Sequence, residues 1–388
     1  MPHLADKNKC NGCHACYNTC NIGAIKMQAD DEGFLHPVID NEKCINCGRC
    51  EKACPIINPP ANNPYEESYG AYAKDETIHK TSSSGGVFAV LAKETLKNGG
   101  FVCGAAYTPD RMVKHIIIDK EDDLHLLQGS KYVQSAIGDI YSKIKDLLIE
   151  NKKVLFSGTP CQVAGLVSYL GKDYDNLITL DLICHGVPSP WTWQLHLNEI
   201  SGGKAVNDST FRNKTQGIHN VTLDYYLSDG TVYQEKYEES PYIKAFSQNL
   251  SVRPSCFECK FKGYKRCSDI TIGDYWSAVE YNPKLVQDNG VSAIILHSEK
   301  SKPLFEKYKK LFVIENTTGE NISLWNTNIN NPAATCENRE TFFNDIKELV
   351  FSQAVEKNYI EPVVERISVI RKIYGKLIRI YQKHKKKT

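Results

Sequence analysis

The sequence predicts a large α/β core behind a small α+β module that is held together by metal rather than by a hydrophobic centre. Three observations predict it. Two cysteine runs of matching spacing occupy the first 54 residues. Residues 58–68, rich in Pro and Asn with little to bury, then read as a linker. From Tyr69 onward, apolar runs of strand length alternate with apolar residues at helical spacing, the signature of an α/β domain. The expected units are residues 1–57, the linker 58–68, an α/β domain over 69–350 and a C-terminal basic amphipathic helix over 351–388.

The first run sets Cys10, Cys13, Cys16 and Cys20 at C-x-x-C-x-x-C-x-x-x-C. Cys44, Cys47, Cys50 and Cys54 repeat it, with Pro55 after the last. This is the bacterial-type ferredoxin spacing, in which three thiolates of one run and the last of the other close each [4Fe–4S] cage. It pairs Cys10, Cys13 and Cys16 with Cys54, and Cys44, Cys47 and Cys50 with Cys20. Thiolate softness also admits zinc, and disulfides are the other reading, but neither accounts for so doubled a pattern. Asn21 stands where such runs usually carry Pro, which removes no ligand. Between the runs, residues 24–28 and 34–39 form a hairpin turning at Asp30-Asp31-Glu32-Gly33.

In the core, an extended Gly70–Ala73 leads to Ser82-Ser83-Ser84-Gly85-Gly86. A helix with Val87, Val90, Leu91 and Leu96 on one face follows and stops at Gly99-Gly100. Strands over 101–107 and 113–118 come next, then a helix over 139–150. Val154-Leu155-Phe156 runs into a helix over 161–170, and Leu177–Ile183 is a further buried strand. Residues 220–237 read as a hairpin turning at Ser228-Asp229-Gly230. A strand over 291–297 and a helix over 303–311 complete the alternation; the rest to about 350 shows no regular pattern.

A second cysteine set lies within this core. Cys161 follows a strand-to-helix turn, Cys184 ends the next strand, and Cys256 and Cys259 form a C-x-x-C with Cys267 shortly after. Ends of neighbouring parallel strands face one crevice, so four of these thiols suffice for a third cube or for zinc. Cys267 is the alternative fourth member, while Cys103 and Cys336 read as packing residues. Two turns offer anion or flavin contacts, Ser82–Gly86 at a helix start and Gly129-Ser130-Lys131-Tyr132-Val133-Gln134-Ser135; each alone is commonplace.

Composition narrows the function classes. Charged residues make up 24% of the chain and the formal net charge is +1, which argues against nucleic acid as the main partner. No apolar run has the length of a membrane span and no signal peptide is read, so the expected compartment is a reducing cytoplasm. The tail beyond Pro362 places Val363, Ile367, Ile370, Ile373, Leu377 and Ile380 at helical intervals among Lys and Arg. It either packs on its own domain, the preferred reading, or touches an acidic partner or a membrane surface.

Taken in order, SSSGGVF, GSKYVQS, FSGTPCQVAGL, DLICHGVPSP and CFECKF…RCSDITIGDYW resemble the beta subunit of the coenzyme F420 hydrogenases and dehydrogenases, the family that includes proteins like 7-hydroxymethyl chlorophyll a reductase. The likeness runs to about residue 345, behind a two-cluster ferredoxin domain. It implies an α/β flavin-binding core. Its FAD contacts would be Ser83, Ser84, Gly85, Gly86, Lys131, Tyr132, Gln134 and Thr159. A nearby [4Fe–4S] cluster would rest on Cys161, Cys184, Cys256 and Cys259. The expected function is an FAD-dependent iron–sulfur oxidoreductase taking electrons from ferredoxin or another redox protein to a small organic or deazaflavin-type substrate. The alternative is an electron-transfer subunit serving a partner oxidoreductase, without a substrate of its own. Asp274 and His185 are candidates for proton handling.

Overall fold

The computed structural model describes residues 2–65 and 67–361. Among them the strands are β1 (Ile25–Ala29), β2 (Leu35–Ile39), β3 (Glu67–Ala73), β4 (Phe101–Tyr107), β5 (Val113–Ile118), β6 (Val154–Gly158), β7 (Leu177–Leu182), β8 (Val206–Asn213), β9 (Thr222–Leu227), β10 (Val232–Lys236), β11 (Ile270–Asp274), β12 (Ser292–Leu296) and β13 (Phe312–Thr317). The main sheet runs β13-β3-β12-β11-β7-β6-β4-β5. Its centre, β4-β6-β7-β11, is parallel, with Cys103 opposite Phe156, Phe156 opposite Thr179 and Ile272 opposite Leu182. Antiparallel strands complete both edges.

Helices cover both faces, which is why the central strands read as unbroken apolar runs. Val87–Lys97 presses Val87, Val90, Leu91 and Leu96 onto one face, beside Leu155, Leu180 and Ile294. Ile140–Ile149 and Pro160–Leu170 pack Ile144, Val163 and Leu166 against Phe156 on the other. A second body joins the antiparallel sheet β10-β9-β8 to the helices Pro190–Ser201, Pro241–Ser247 and Phe351–Asn358 around Trp193, Phe211, Tyr225 and Tyr242.

The N-terminal module has the expected hairpin, Ile25 opposite Ile39 and Ala29 opposite Leu35, between the short helices Ala15–Thr19 and Arg49–Lys52. Two boundary expectations need correction. The module is not an appendage on a free linker: Phe34, fully buried, joins the core around Trp193, and Ala15 and Cys13 join the one around Phe156. Residues 58–68 are likewise pinned. The backbone N–H of Asn63 donates to Arg266 O at 2.8 Å, its side chain donates to Ser268 O at 3.0 Å, and Tyr65 packs on Tyr264. Polar composition suggested a loose tether, but one aromatic and one amide are enough to tie it down. The second correction is at the C-terminus, where Phe351, Ala354 and Val355 are buried in the second body. The core therefore extends past 350, and the basic part of the expected tail helix lies outside the described residues.

Candidate functional site

In the module, each cysteine run folds its loop the same way. Gly12 and His14 in the first run have φ of 61° and 62°, and Asn46 and Gly48 in the second have 57° and 69°. These are the residues two and four places after the first Cys of each run. Left-handed residues at such positions turn successive backbone N–H groups inward, the nest that surrounds anionic iron–sulfur cages; Gly12 N already donates to Cys10 Sγ at 3.4 Å. Burial pushes the Cys16 thiol well up, and Cys10, Cys54 and Cys50 push it further. The charges of Cys54 and Cys50 thus reach the first run from the second. Crowded, buried thiols resist ionisation unless a soft cation shares their charge, so this donor set fits a cluster.

The inner set assembles at the carboxyl ends of the parallel strands. Cys161 sits in the first turn of Pro160–Leu170, whose start is closed by Thr159 and Gln162 in a capping box, and Thr159 Oγ1 lies 3.2 Å from Cys161 Sγ. Cys184 follows β7. Burial lifts its thiol to about 12, with Lys262 and Arg266 opposing and Cys161 and Cys259 adding to the rise. Cys256 is raised by burial and then by Cys184, Cys161 and Cys259. Burial thus lifts each of the Cys161, Cys184 and Cys256 thiols, and charge on other members of the set raises each further. Cys267 stands elsewhere: burial lifts it to about 12, and the charges it feels are those of Asp181, Arg266 and Asp269. Among the described residues no three His, Cys, Asp or Glu side chains converge tightly enough for a single metal ion; a cubane takes thiols set further apart.

The two thiol systems meet at a seam. Cys13 is raised by burial and by Cys16, Cys10 and Cys161 together. Its Cβ and Sγ lie against Gly165, where an added Cβ would stand 3.0 and 3.1 Å away. Gly165 belongs to the helix that bears Cys161 in its first turn, so the glycine is what lets the outer run approach the inner one. Arg253, three residues before Cys256, closes the seam by donating to Cys10 O at 2.7 Å, Leu35 O at 3.0 Å and Gln134 Oε1 at 2.8 Å.

Beside the inner set opens a cleft of about 1540 Å³, lined among others by Ser83, Gly86, Tyr132, Thr159, Cys184 and Asp274. That exceeds the roughly 300–1,000 Å³ of ordinary small-molecule sites. Of the eight flavin-contact candidates, Ser84 and Lys131 also line it, whereas Gly85 and Gln134 do not. Gly85 is packed: an added Cβ would meet Ala71 O at 2.3 Å. Gln134 spans the seam, donating to Asn11 O at 3.0 Å. The two motifs touch where Ser130 N donates to Ser83 Oγ at 2.6 Å. Lys131 Nζ donates to Gln128 O at 2.9 Å, and burial, then Arg111, lowers the ammonium to about 7.

Two cleft-side residues, Arg212 and Lys214, escaped the sequence reading because β8 did, whereas Asp274 and His185 were among its candidates. Arg212 on β8 pairs with Asp274 on β11 at 2.8 Å within the cleft, so Asp274 is an ion-pair member. Lys214, just after β8, holds the serine loop by donating to Ser84 O at 3.1 Å. His185 lines the cleft with Nε2 2.7 Å from Asn249 Oδ1, and burial lowers its pKa. Alternating polar residues in Val206–Asn213 were the available signal for β8.

Two models of one family, described as "Coenzyme F420 hydrogenase/dehydrogenase, beta subunit", match most of the core: the N-terminal model over residues 68–140 and the C-terminal model over 151–321. The chain belongs to the family of these beta subunits. "4Fe-4S dicluster domain" models match residues 9–56 and 36–87, so this family member carries an iron–sulfur module. It is similar to an uncharacterized protein of Methanocaldococcus jannaschii, 28% identical over 44% of this chain and 56% of that one. It is also similar to a protein of Methanosarcina mazei named as one of the subunits of F(420)H(2) dehydrogenase, 21% identical over 39% and 46%. The chain thus spans about half the length of these curated relatives. A chain of the F420-reducing [NiFe] hydrogenase complex from Methanosarcina barkeri aligns with a TM-score of 0.47 and 17% identity, over 69% of this chain and 88% of that one. No described helix of this family member is long and apolar enough to cross a membrane.

Proposed function

We propose that this chain is an electron-transfer subunit that relays single electrons between a redox partner at its N-terminal module and a carrier seated in the cleft. The observation that carries this reading is the seam, where Cys13 of the module lies against the helix that bears Cys161, while Cys184 of the inner set opens on the cleft. Cubane clusters move one electron at a time, and a flavin exchanges electrons either singly or in pairs. The protein's part is placement. Cys161, Cys184, Cys256 and Cys259 would hold a third [4Fe–4S] cluster, Thr159 orients Cys161, and Lys262 donates to Asn328 O and to the carbonyl of Cys184 beside it. A relative named as part of a dehydrogenase supports a role within an assembly.

Anaerobic reconstitution of the full chain tests the reading. It should give about twelve iron atoms per chain, four per cubane, falling to about eight in Cys184→Ser and staying at about twelve in Cys267→Ala. About eight in all three proteins would remove the inner cluster from the relay.

The cleft favours a second reading, an FAD-dependent oxidoreductase with its own small organic or deazaflavin-type substrate. Ser83, Ser84 and Gly86 border the N-terminus of Val87–Lys97, and Lys131, in the loop that touches Ser83, lines the same cleft and carries its charge below pH about 7, a setting suited to a pyrophosphate. Flavin released on denaturation, with turnover of a two-electron acceptor by the isolated chain, would favour this reading over the bare relay.

A further inference from the structure

Arg253 is 1% exposed, among the largest side chains wholly inside the protein. Its guanidinium has carbonyl and amide acceptors at Cys10, Leu35 and Gln134, and stands 3.2 Å from the ring of His36. Among the described residues no carboxylate lies within ion-pair distance of it. Asp30, the nearest acid in this network, pairs instead with His36 at 3.2 Å and Lys7 at 3.1 Å. A buried cation without a counter-charge is strongly unfavourable, because neutral acceptors return only part of its lost hydration. The position answers the question of what compensates it. On one side the guanidinium touches the first ferredoxin loop, where a Cβ on Gly12 would be 2.9 Å from Nη1. On the other, the Arg253 carbonyl accepts from Cys256 N at 3.0 Å, so the same residue caps the turn that bears an inner thiol.

We infer that Arg253 is the shared counter-ion of the two thiolate cages that flank the seam, a positioning residue that clasps their ligand loops and favours reduction of both. The inference rests on the proposed inner cluster for one of its two sides. Each cage becomes one unit more negative when it takes an electron, and a fixed cation between them stabilises that state in either. Arg266, by contrast, is already matched by Asp181 at 3.2 Å, and Lys262 stands at the Cys184 side of the inner set, donating to the carbonyls of Cys184 and Asn328. Arg253 is the cation at the seam itself, in contact with the first ferredoxin loop. Gln134 serves it by holding Nη1 while donating to Asn11 O.

The test is a redox titration of the reconstituted full chain, followed by the electron paramagnetic resonance of each reduced cluster. Arg253→Gln should make reduction of the flanking cages at least about tenfold less favourable, about 59 mV for a one-electron couple. The cage of Cys44, Cys47, Cys50 and Cys20 should move less. Arg253→Lys, which keeps the charge and loses the fork, should stay near the wild-type potentials. Should Arg253→Gln fail to retain iron, Gln134→Glu decides: it leaves the arginine in place, sets a carboxylate about 2.8 Å from it and should lower the same potentials. Unchanged potentials in an iron-replete Arg253→Gln, or in Gln134→Glu, would overturn the inference. Should the wild-type chain hold only about eight irons, the inner cluster fails separately; the shift at the cage of Cys10, Cys13, Cys16 and Cys54 is then still required.

Discussion

Replacing Gly165 by Ala tests the seam at its tightest point. Helix propensity alone favours the change, by about 1 kcal/mol, since Gly165 has ordinary helical geometry within Pro160–Leu170. Packing opposes it. The new methyl would stand 3.0 Å from Cys13 Cβ, 3.0 Å from Tyr141 Oη and 3.1 Å from Cys13 Sγ. Tyr141 is fully buried with its hydroxyl donating to Gln162 O at 2.7 Å, and Cys13 is fixed by its loop, so neither can step aside freely. Overpacking of a close-packed site costs about 1–3 kcal/mol. The expected net effect is therefore a loss of about 0–2 kcal/mol in Gly165→Ala, and more than about 2 kcal/mol in Gly165→Val, whose extra methyls enter the same gap. Urea unfolding gives the stability. Stopped-flow reduction with a one-electron dye should show the inner cluster filling more slowly than in wild type while the module clusters fill at the usual rate. A Gly165→Ala protein more stable by the full helix-propensity gain, with an unaltered rate, would refute the idea that this glycine sets the approach of the two thiol systems.

Three further outcomes are expected. Arg339 forks onto Glu32 and its Nε donates to Val252 O at 2.8 Å. Arg339→Ala should cost about 1–3 kcal/mol and speed hydrogen exchange in the β1–β2 hairpin; unchanged protection there would show that the module is held elsewhere. Burial, then Arg266, lowers His297 to about 3, so above pH about 6.5 it is neutral whether folded or unfolded. Below that pH only the unfolded chain takes the proton, and stability falls towards pH 3 by up to about 1.4 kcal/mol per unit. The stability difference between wild type and His297→Gln should narrow accordingly between pH 6.5 and 5, and a constant difference would contradict the buried neutral imidazole. Lys131, lowered to about 7 mainly by burial, loses its charge above that pH. Flavin affinity of the wild-type chain should then weaken from pH 6 to 9, and Lys131→Met should bind about tenfold more weakly at pH 6, or about 1.4 kcal/mol, with little pH dependence. Equal affinities at pH 6 would leave the lysine outside any cofactor site.

Local patterns made much of the fold legible. The β1–β2 hairpin, β4, β5, the Val87–Lys97 helix and the β6–helix unit carrying Cys161 all lie where apolar spacing and turn residues place them. Burial of both sheet faces is written directly into runs such as Val154-Leu155-Phe156. β8, β11 and β13 were not legible. β8 alternates small polar residues, β11 is five residues interrupted by Gly273, and β13 begins at the end of a helix-like stretch. Each is a strand because neighbouring strands supply its hydrogen bonds, which no local propensity encodes.

The same division holds for the site. Ligand identity is a matter of residue type and spacing, so the sequence by itself determined the two ferredoxin runs and pointed to the inner cysteines: soft donors repeated at short intervals have few other uses. What only the tertiary structure decided is their mutual arrangement. It set Cys13 against Gly165, separated Cys267 from the inner four, withdrew Gln134 from the cleft to the seam and buried Arg253 between two sets of thiols. Those outcomes depend on residues more than a hundred positions apart meeting in a close-packed interior. There a missing Cβ or an uncompensated charge has consequences that no window of sequence contains.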